Sequence, residues 1–332
     1  MVEDSTAEEK LKDALNFIKS DGKRTRDFVI ARSTTIETDD GPQKGYDLGE
    51  LGFDTNIVDE IEDIVADRIH QQIDRAVEGD AKTFEPYHIS NVDKDVEPVQ
   101  YLEADEIPAF GRFEELVTNP DIEDTSFEDD DRPEFQTVRT KDPDGNMVVA
   151  FQKYSNRQIL GSSYKIKFSL SGGNQYDRVK NELLAIPERV DALYYDGLVF
   201  VFNPSKFEDI FDYLEMYESR ATEVFEGLDE TEIQIHNFEE FAKSVHNDRR
   251  ALRKMRQIQE LGLYRDLKQD EVEGVVNKFD LDIQVGENEA GEWGITVPDM
   301  RKKWDVIRLL NDDHLYSSLT EGRYQVYGKD ER

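Results

Sequence analysis

The sequence predicts an α+β protein: an N-terminal α/β segment, then a domain of antiparallel strands followed by a helical bundle. Three observations carry this. Runs rich in Val, Ile, Thr and aromatics recur up to Asn203. Two tight-turn signals, Asp142-Pro143-Asp144-Gly145 and Asp196-Gly197, each sit between a pair of such runs. Beyond Asn203-Pro204 the apolar residues return at helical spacing. Strands grouped ahead of helices are the pattern of α+β architectures.

In chain order, a first helix is expected over Thr6–Ser20, where Leu11, Leu15 and Ile18 recur every three to four residues and Asp21-Gly22 ends the run. Asp27–Ile36 reads as a strand. Asp54 reads as the N-cap of a long helix, whose stripe runs Ile57, Val58, Ile61, Ile64, Val65, Ile69, Ile73 and Val77 before Gly79. Residues 119–133 are acidic and turn-rich, with Glu128-Asp129-Asp130-Asp131 in succession. That run is expected to be a linker between an N-terminal domain, 1–118, and a second domain, 134–328. Calcium or magnesium would suit its carboxylates, but it lacks the glycine and ligand spacing of an EF-hand, and no metal is expected there.

In the second part, strands are expected at Glu134–Lys141, Met147–Tyr154 and Tyr164–Leu170, with a loop at Ser171-Gly172-Gly173-Asn174. Arg189–Tyr195 and Leu198–Asn203 form a hairpin across Asp196-Gly197. Asn203 then caps a helix with Pro204 at its first position and Phe207, Ile210, Phe211, Leu214 and Tyr217 on its buried face. Helices follow at Phe238–Val245, Arg249–Leu261 and Asp270–Phe279. A hairpin of Leu281–Val285 with Trp293–Val297 precedes a last helix at Met300–Leu310.

Composition narrows the function classes. The 332 residues hold 75 acids against 41 bases, a net charge of −34. Such self-repulsion is relieved at molar salt, where the Debye length falls to about 3 Å. The balance therefore points to a halophilic host, with an ordinary acidic protein or a nucleic-acid mimic as the rivals. Phe 18 and Tyr 14 argue for a folded chain. The absence of cysteine excludes disulfides, thiolate metal sites and a cysteine nucleophile. No run approaches the ~20 apolar residues of a membrane span, and the charged Met1–Lys12 is not a signal peptide. A cytoplasmic protein is expected.

Against this acidity, Lys243–Arg256 stands out. It holds Lys243, Arg249, Arg250, Arg253, Lys254 and Arg256 with one acid, Asp248. On a helix, Leu252, Met255 and Ile258 line one side, and Arg249, Arg253 and Arg256, flanked by Arg250 and Lys254, line the other. Guanidinium forks match phosphate oxygens, so this face is the candidate nucleic-acid site. The competing reading is that these bases pair with the many surrounding acids. Lys165 and Lys167, alternating with Tyr164, Ile166 and Phe168, would add a second basic strand face. The adjacent Gly-Gly loop lacks the Gly-Lys-Ser/Thr of a P-loop and reads as a plain turn. Arg301-Lys302-Lys303 opposes the dipole of the last helix, which implies an ion-pairing or functional reason, and Trp304 reads as core or as a base-stacking residue. His70, His88, His236, His246 and His314 fall in no metal spacing. Asp144 with Gln152-Lys153 only hints at a restriction-type nuclease, and no catalytic residue, metal or cofactor is expected.

From about Glu134 to Tyr327 the chain resembles the KwaB-like family of the Kiwa anti-phage defence system. The resemblance rests on the order of Phe151-Gln152-Lys153, the hairpin Leu193–Asn203, the Phe-rich helix Phe207–Tyr217 and Asn247-Asp248-Arg249-Arg250-Ala251-Leu252-Arg253-Lys254. Leu309–Leu315, Ser318-Leu319-Thr320 and Tyr324-Gln325-Val326 close the pattern. Residues 1–118 match it only loosely. It implies a non-enzymatic DNA-binding defence effector that forms a homo-oligomer and works with a small membrane protein, which would recruit it to the inner face of the membrane. An acidic protein-interaction subunit and a cryptic metal-dependent nuclease remain the alternatives.

Overall fold

The computed structural model describes residues 4–20, 24–38, 41–78, 84–87, 99–125 except 109 and 120, 133–154, 159–160, 167–170, 176–179, 183–184, 186, 188–316 and 323–325. It is an α+β fold that divides into two units, Met1–Phe211 and Asp212–Arg332.

The first unit opens with α1 (Asp4–Lys19), β1 (Thr25–Thr38), β2 (Gly41–Leu51), α2 (Thr55–Glu78), β3 (Phe84–Pro86) and β4 (Val99–Glu103). Then come α3 (Glu114–Thr118), β5 (Asp124–Thr125), β6 (Phe135–Lys141) and β7 (Met147–Lys153). Four short strands follow, β8 (Ile159–Leu160) paired with β11 (Leu183–Leu184), and β9 (Lys167–Leu170) paired with β10 (Tyr176–Val179). The unit closes with β12 (Ala192–Tyr195), β13 (Leu198–Val201) and α4 (Pro204–Ile210). Its main sheet has nine strands in the order β3-β4-β13-β12-β7-β6-β1-β2-β5, parallel only at the two edge pairs.

Strand alternation sends successive side chains to opposite faces. Phe28, Ile30, Val138, Val148, Ala150, Leu193, Leu198 and Phe200 take one face and pack with Ala7, Leu11, Ala14 and Ile18 of α1 and Ile61, Val65, Ile69 and Ile73 of α2. Most of the stripes read from the sequence dock in this way, but Ile57 at the start of α2 is exposed. On the other face Phe135 and Phe151 meet Phe113 and Phe211, with Phe113 and Phe211 ring centres 4.6 Å apart. Edge and tilted contacts of this kind add about 0.5–1.5 kcal/mol per pair beyond the area they bury.

The expected boundary at 119–133 is corrected by this sheet. β6 pairs antiparallel with β1 over Thr25↔Lys141 to Ala31↔Phe135, so strands from both sides of the acidic run share one ladder. Residues 126–132 of that run lie outside the described residues. The chain divides after Phe211 instead. Asn203 caps α4 as expected, accepting from the Lys206 N–H. The single helix expected over Phe207–Tyr217 is two, because Asp212 takes a left-handed φ of 54° and starts a new axis. β2, the edge strand β3 and its neighbour β4 are additions to the elements expected from the sequence. The expected stop at Gly79, the strand start at Tyr164–Ile166 and the loop Ser171–Asn174 lie outside the described residues.

One buried ion cluster ties β1 to β6. Arg139 is fully buried, and its guanidinium donates to Asp27 Oδ2 at 2.7 Å and to the Asn119 carbonyl at 2.8 Å. Lys141 Nζ lies 2.5 Å from the same Asp27 oxygen. On the opposite face Arg26 pairs with Glu62 of α2 at 2.6 Å, and Thr140 donates to that carboxylate. Removing one member of a buried pair costs far more than the pair contributes, because its partner stays charged and dry.

The second unit carries α5 (Tyr213–Asp229), β14 (Gln234–Ile235), α6 (Phe238–His246), α7 (Arg249–Leu261) and α8 (Gln269–Phe279). These are followed by β15 (Gln284–Glu287), β16 (Trp293–Thr296), α9 (Lys303–Leu310), β17 (His314–Tyr316) and β18 (Arg323–Gln325). β14 adds parallel to β16, which pairs antiparallel with β15. Asn237 fastens the end of that sheet by bonding both the N–H and the carbonyl of Val297.

Asp27→Ala removes the carboxylate bonded to the fully buried Arg139. It is expected to lower the first unit's stability by about 3–5 kcal/mol, read as a fall in the urea midpoint with unchanged slope.

Candidate nucleic-acid interface

α7 forms where the periodicity places it. The Asp248 carboxylate caps it, accepting from Arg250 N at 3.1 Å and Ala251 N at 3.3 Å. Gly262, at φ 64°, ends it, a conformation that glycine adopts without strain. Ala251, Leu252, Met255 and Ile258 are fully buried, against α5, α6 and α9. The apolar side is therefore as expected.

Those basic residues have different fates. Lys254 turns inward: its ammonium lies 2.8 Å from Asp313 Oδ2, with side-chain exposures of 14% and 4%, and it also donates to Gln257. Asn311 donates to Asp313 as well, at 2.6 Å. Arg256 pairs along the helix with Glu260 at 2.7 Å. Arg249 and Arg253 are half-buried and engaged within the fold. Arg250 is exposed. Lys165 lies outside the described residues, and Lys167 opens β9, paired in register with Val179.

The α6–α7 corner adds two bases that the helical pattern alone did not bring in. Lys243 is exposed in the last turn of α6. Lys303, the first residue of α9, donates to the Ser244 carbonyl at 3.0 Å and lies 2.9 Å from Asp248 Oδ2. This accounts for a base at a helix start, where the macrodipole opposes it: it is bonded to the cap of another helix. Its neighbours are held locally, Arg301 by a fork on Asp299 and Lys302 by Asp282. The Asp299 carboxyl is drawn down to about 2 by the hydrogen bonds from Arg301. Trp304 is half-buried. Lys303 thus meets Asp248 at the start of α7, where Arg249 and Arg250 open the helix and Lys243 lies in the last turn of α6.

The nuclease residues are not brought together. Asp144 lies in the exposed turn before β7, while Gln152 and Lys153 end that seven-residue strand, roughly 20 Å away at ~3.4 Å per residue. Gln152 accepts from Gln136 at 2.6 Å on the α1/α2 face, and Lys153 pairs with Glu134 at 2.7 Å. Among the described residues no group of three or more His, Asp or Glu is placed to hold a metal ion. A pocket at the Lys141 end of β6 is lined by Asp27, Glu50, Asp121, Lys141 and Asp142 among others. Burial, then the charge of Asp27, holds the Glu50 carboxyl above its usual range there.

The geometry defines an acidic α+β protein with a basic helix–corner–helix and, among the described residues, no cluster placed to hold a metal ion. Residues 140–320, more than half of the chain, match the family described as Kiwa protein KwaB-like. The chain belongs to that family, which places it with the Kiwa anti-phage defence proteins. The match begins inside β6 and crosses both units, so the family region is not a structural domain. No curated protein and no solved structure matches the chain. No helix among the described residues is long and apolar enough to cross a membrane.

The Asp248 cap has a pH signature. Burial pushes its carboxyl up, but hydrogen bonds from Lys303, Ala251 and Arg250, with the Lys303 charge, outweigh it and leave the pKa below its usual 3.8. A depressed carboxylate contributes stability that is complete above the unfolded-state pKa and lost as pH falls through the folded one. Asp248→Asn keeps a capping oxygen and removes the charge. The stability difference between wild type and this variant is expected to be constant above about pH 4 and to shrink below it, measured by urea unfolding across pH.

Proposed function

We propose that this protein is a non-enzymatic effector of Kiwa-type defence that binds DNA through the α6–α7 corner. On this reading it acts as a homo-oligomer beside a small membrane protein at the inner membrane face. The observation that carries the DNA reading is the corner itself: Lys243 lies in the last turn of α6, Arg249 and Arg250 open α7, and Lys303 is bonded to the cap of α7, in a chain of net charge −34. Lys254 and Arg256 serve differently. Their pairs with Asp313 and Glu260 fix the helix that presents the arginines.

Salt limits how such a site can work. Phosphate affinity falls by roughly 10³–10⁵ between 50 and 200 mM salt for six to ten contacts. A protein suited to molar salt therefore needs shape fit and hydrogen bonding beside charge, and arginine supplies both. The internal pairing of Lys254 and Arg256 favours one second reading, an acidic protein-interaction subunit whose basic helix is a packing element.

A titration of single- and double-stranded DNA across a KCl series separates the two. Binding that persists at high salt supports the effector, and absence of binding wherever the protein is folded supports the interaction subunit. Arg250→Glu, at an exposed position, is expected to weaken binding and to reduce the slope of log affinity against log salt by about 1 or more. An unchanged slope in the folded variant removes Arg250 from the interface.

A further inference from the structure

β1 is longer than its sheet. It pairs with β2 from Phe28↔Leu51 to Thr38↔Gly41, but with β6 only as far as Ala31↔Phe135. Past Ala31, among the described residues, the two strands run on as a two-stranded ribbon, and an isolated ribbon of that kind is marginal in water. The polarity of its edge follows from one bond. Glu134 N donates to the Ala31 carbonyl at 2.8 Å on the β6 side, so the odd residues of β1 direct their backbone groups away from β2. Ser33, Thr35 and Glu37 continue that series, and among the described residues their outward N–H and carbonyl groups have no partner. Every residue from Ser33 to Glu37 is exposed. Ile36, opposite Gln43 of β2, is 48% exposed although its side chain reaches over Gly45, where an added Cβ would run into its Cδ1.

Natural edges are usually blunted by lysine, proline or a bulge. This one carries none: Ser33-Thr34-Thr35-Ile36 is uncharged and β-prone, and Arg32 and Glu37 at its ends cancel. In so acidic a chain, a neutral edge is a place where two copies can meet without repulsion.

We propose that this edge is a self-association surface, on which β1 of a second copy adds antiparallel about a two-fold axis at Thr35. In an antiparallel pair, outward-facing residues must lie opposite outward-facing residues, so only even register sums are allowed. Centring on Thr35 sets Ser33 opposite the partner's Glu37 and Thr35 opposite the partner's Thr35, which satisfies all three open positions on both copies. Centring on Thr34 instead would set Glu37 against Ala31, whose carbonyl is already taken by Glu134. In the Thr35 register Thr34 lies opposite the partner's Ile36, covering the exposed apolar side chain, and no like charges face each other. The arrangement is isologous and closes at two copies.

This gives a surface to the self-association included in the proposed function and does not depend on DNA binding. Sedimentation velocity of the full chain at low and at molar KCl tests it, with Thr35→Pro and Thr35→Lys. Proline removes an N–H that points outward and leaves the β1–β2 ladder its bonds. Lysine puts like charges opposite each other across the axis. Wild type is expected to associate and both variants to weaken that association at least about tenfold, 1.4 kcal/mol or more. If proline unfolds the ribbon, lysine, at an exposed site, decides. Because the chain has no cysteine, Thr35→Cys is also expected to give a covalent dimer with a short thiol cross-linker, where Thr222→Cys does not. A wild type that associates while the folded Thr35→Lys variant associates equally well overturns this surface and leaves the oligomer reading standing. A monomeric wild type overturns both.

Discussion

Asp27 holds two cations at once, Arg139 and Lys141, and all three lie on the ladder that joins β1 to β6. That ladder is the constraint on which the first unit depends. It joins a strand from the first 40 residues to a sheet whose central strands β13, β12 and β7 come from the family-matched region. Because Arg139 is fully buried, the two cannot separate without exposing or stranding a charge. A family boundary drawn at Thr140 therefore cuts through a strand, and the matched segment alone lacks the neighbour that completes its sheet.

The same logic of acids fastening bases recurs in the second unit. Asp313 takes Lys254 and Asp248 takes Lys303, so α7 is tied at its middle to the turn after α9 and at its cap to the start of α9. In a chain so rich in carboxylate, a base that is structurally useful acquires an acid, and one that is not so engaged faces solvent. Arg250 is such a residue. At the corner, Asp248, the one acid of the Lys243–Arg256 stretch, is already committed to Lys303.

Much of this was legible in the sequence because it is written in local signals. The stripe of α2, the Asp196-Gly197 hairpin with both residues at positive φ, the Asn203 cap and the full extent of α7 all follow from spacing and turn chemistry. What was not legible is non-local. β2, reading Gly-Pro-Gln-Lys-Gly-Tyr-Asp-Leu-Gly, has no strand composition and exists because β1 offers it a ladder. The domain boundary was misplaced because acidity marks solvent exposure, whereas a unit is defined by its pairing partners. Within the candidate site, the heptad-like spacing placed Arg249, Arg250, Arg253, Lys254 and Arg256 on one helix, but could not show that Lys254 reaches Asp313. Lys303 entered only through tertiary packing; its one sequence trace was a base where the helix dipole disfavours one.

The most direct test of the central claim, that α7 is a rigid mount presenting its first turn to an anionic partner, is amide hydrogen exchange of the full chain with and without duplex DNA. The account predicts that the middle of α7 is already protected in the free protein, and that DNA adds protection at the α6–α7 corner, residues 243–253, while β6 and β7 stay unchanged. Rapid exchange throughout α7 in the free protein, or DNA protection that falls elsewhere and spares the corner, would contradict it.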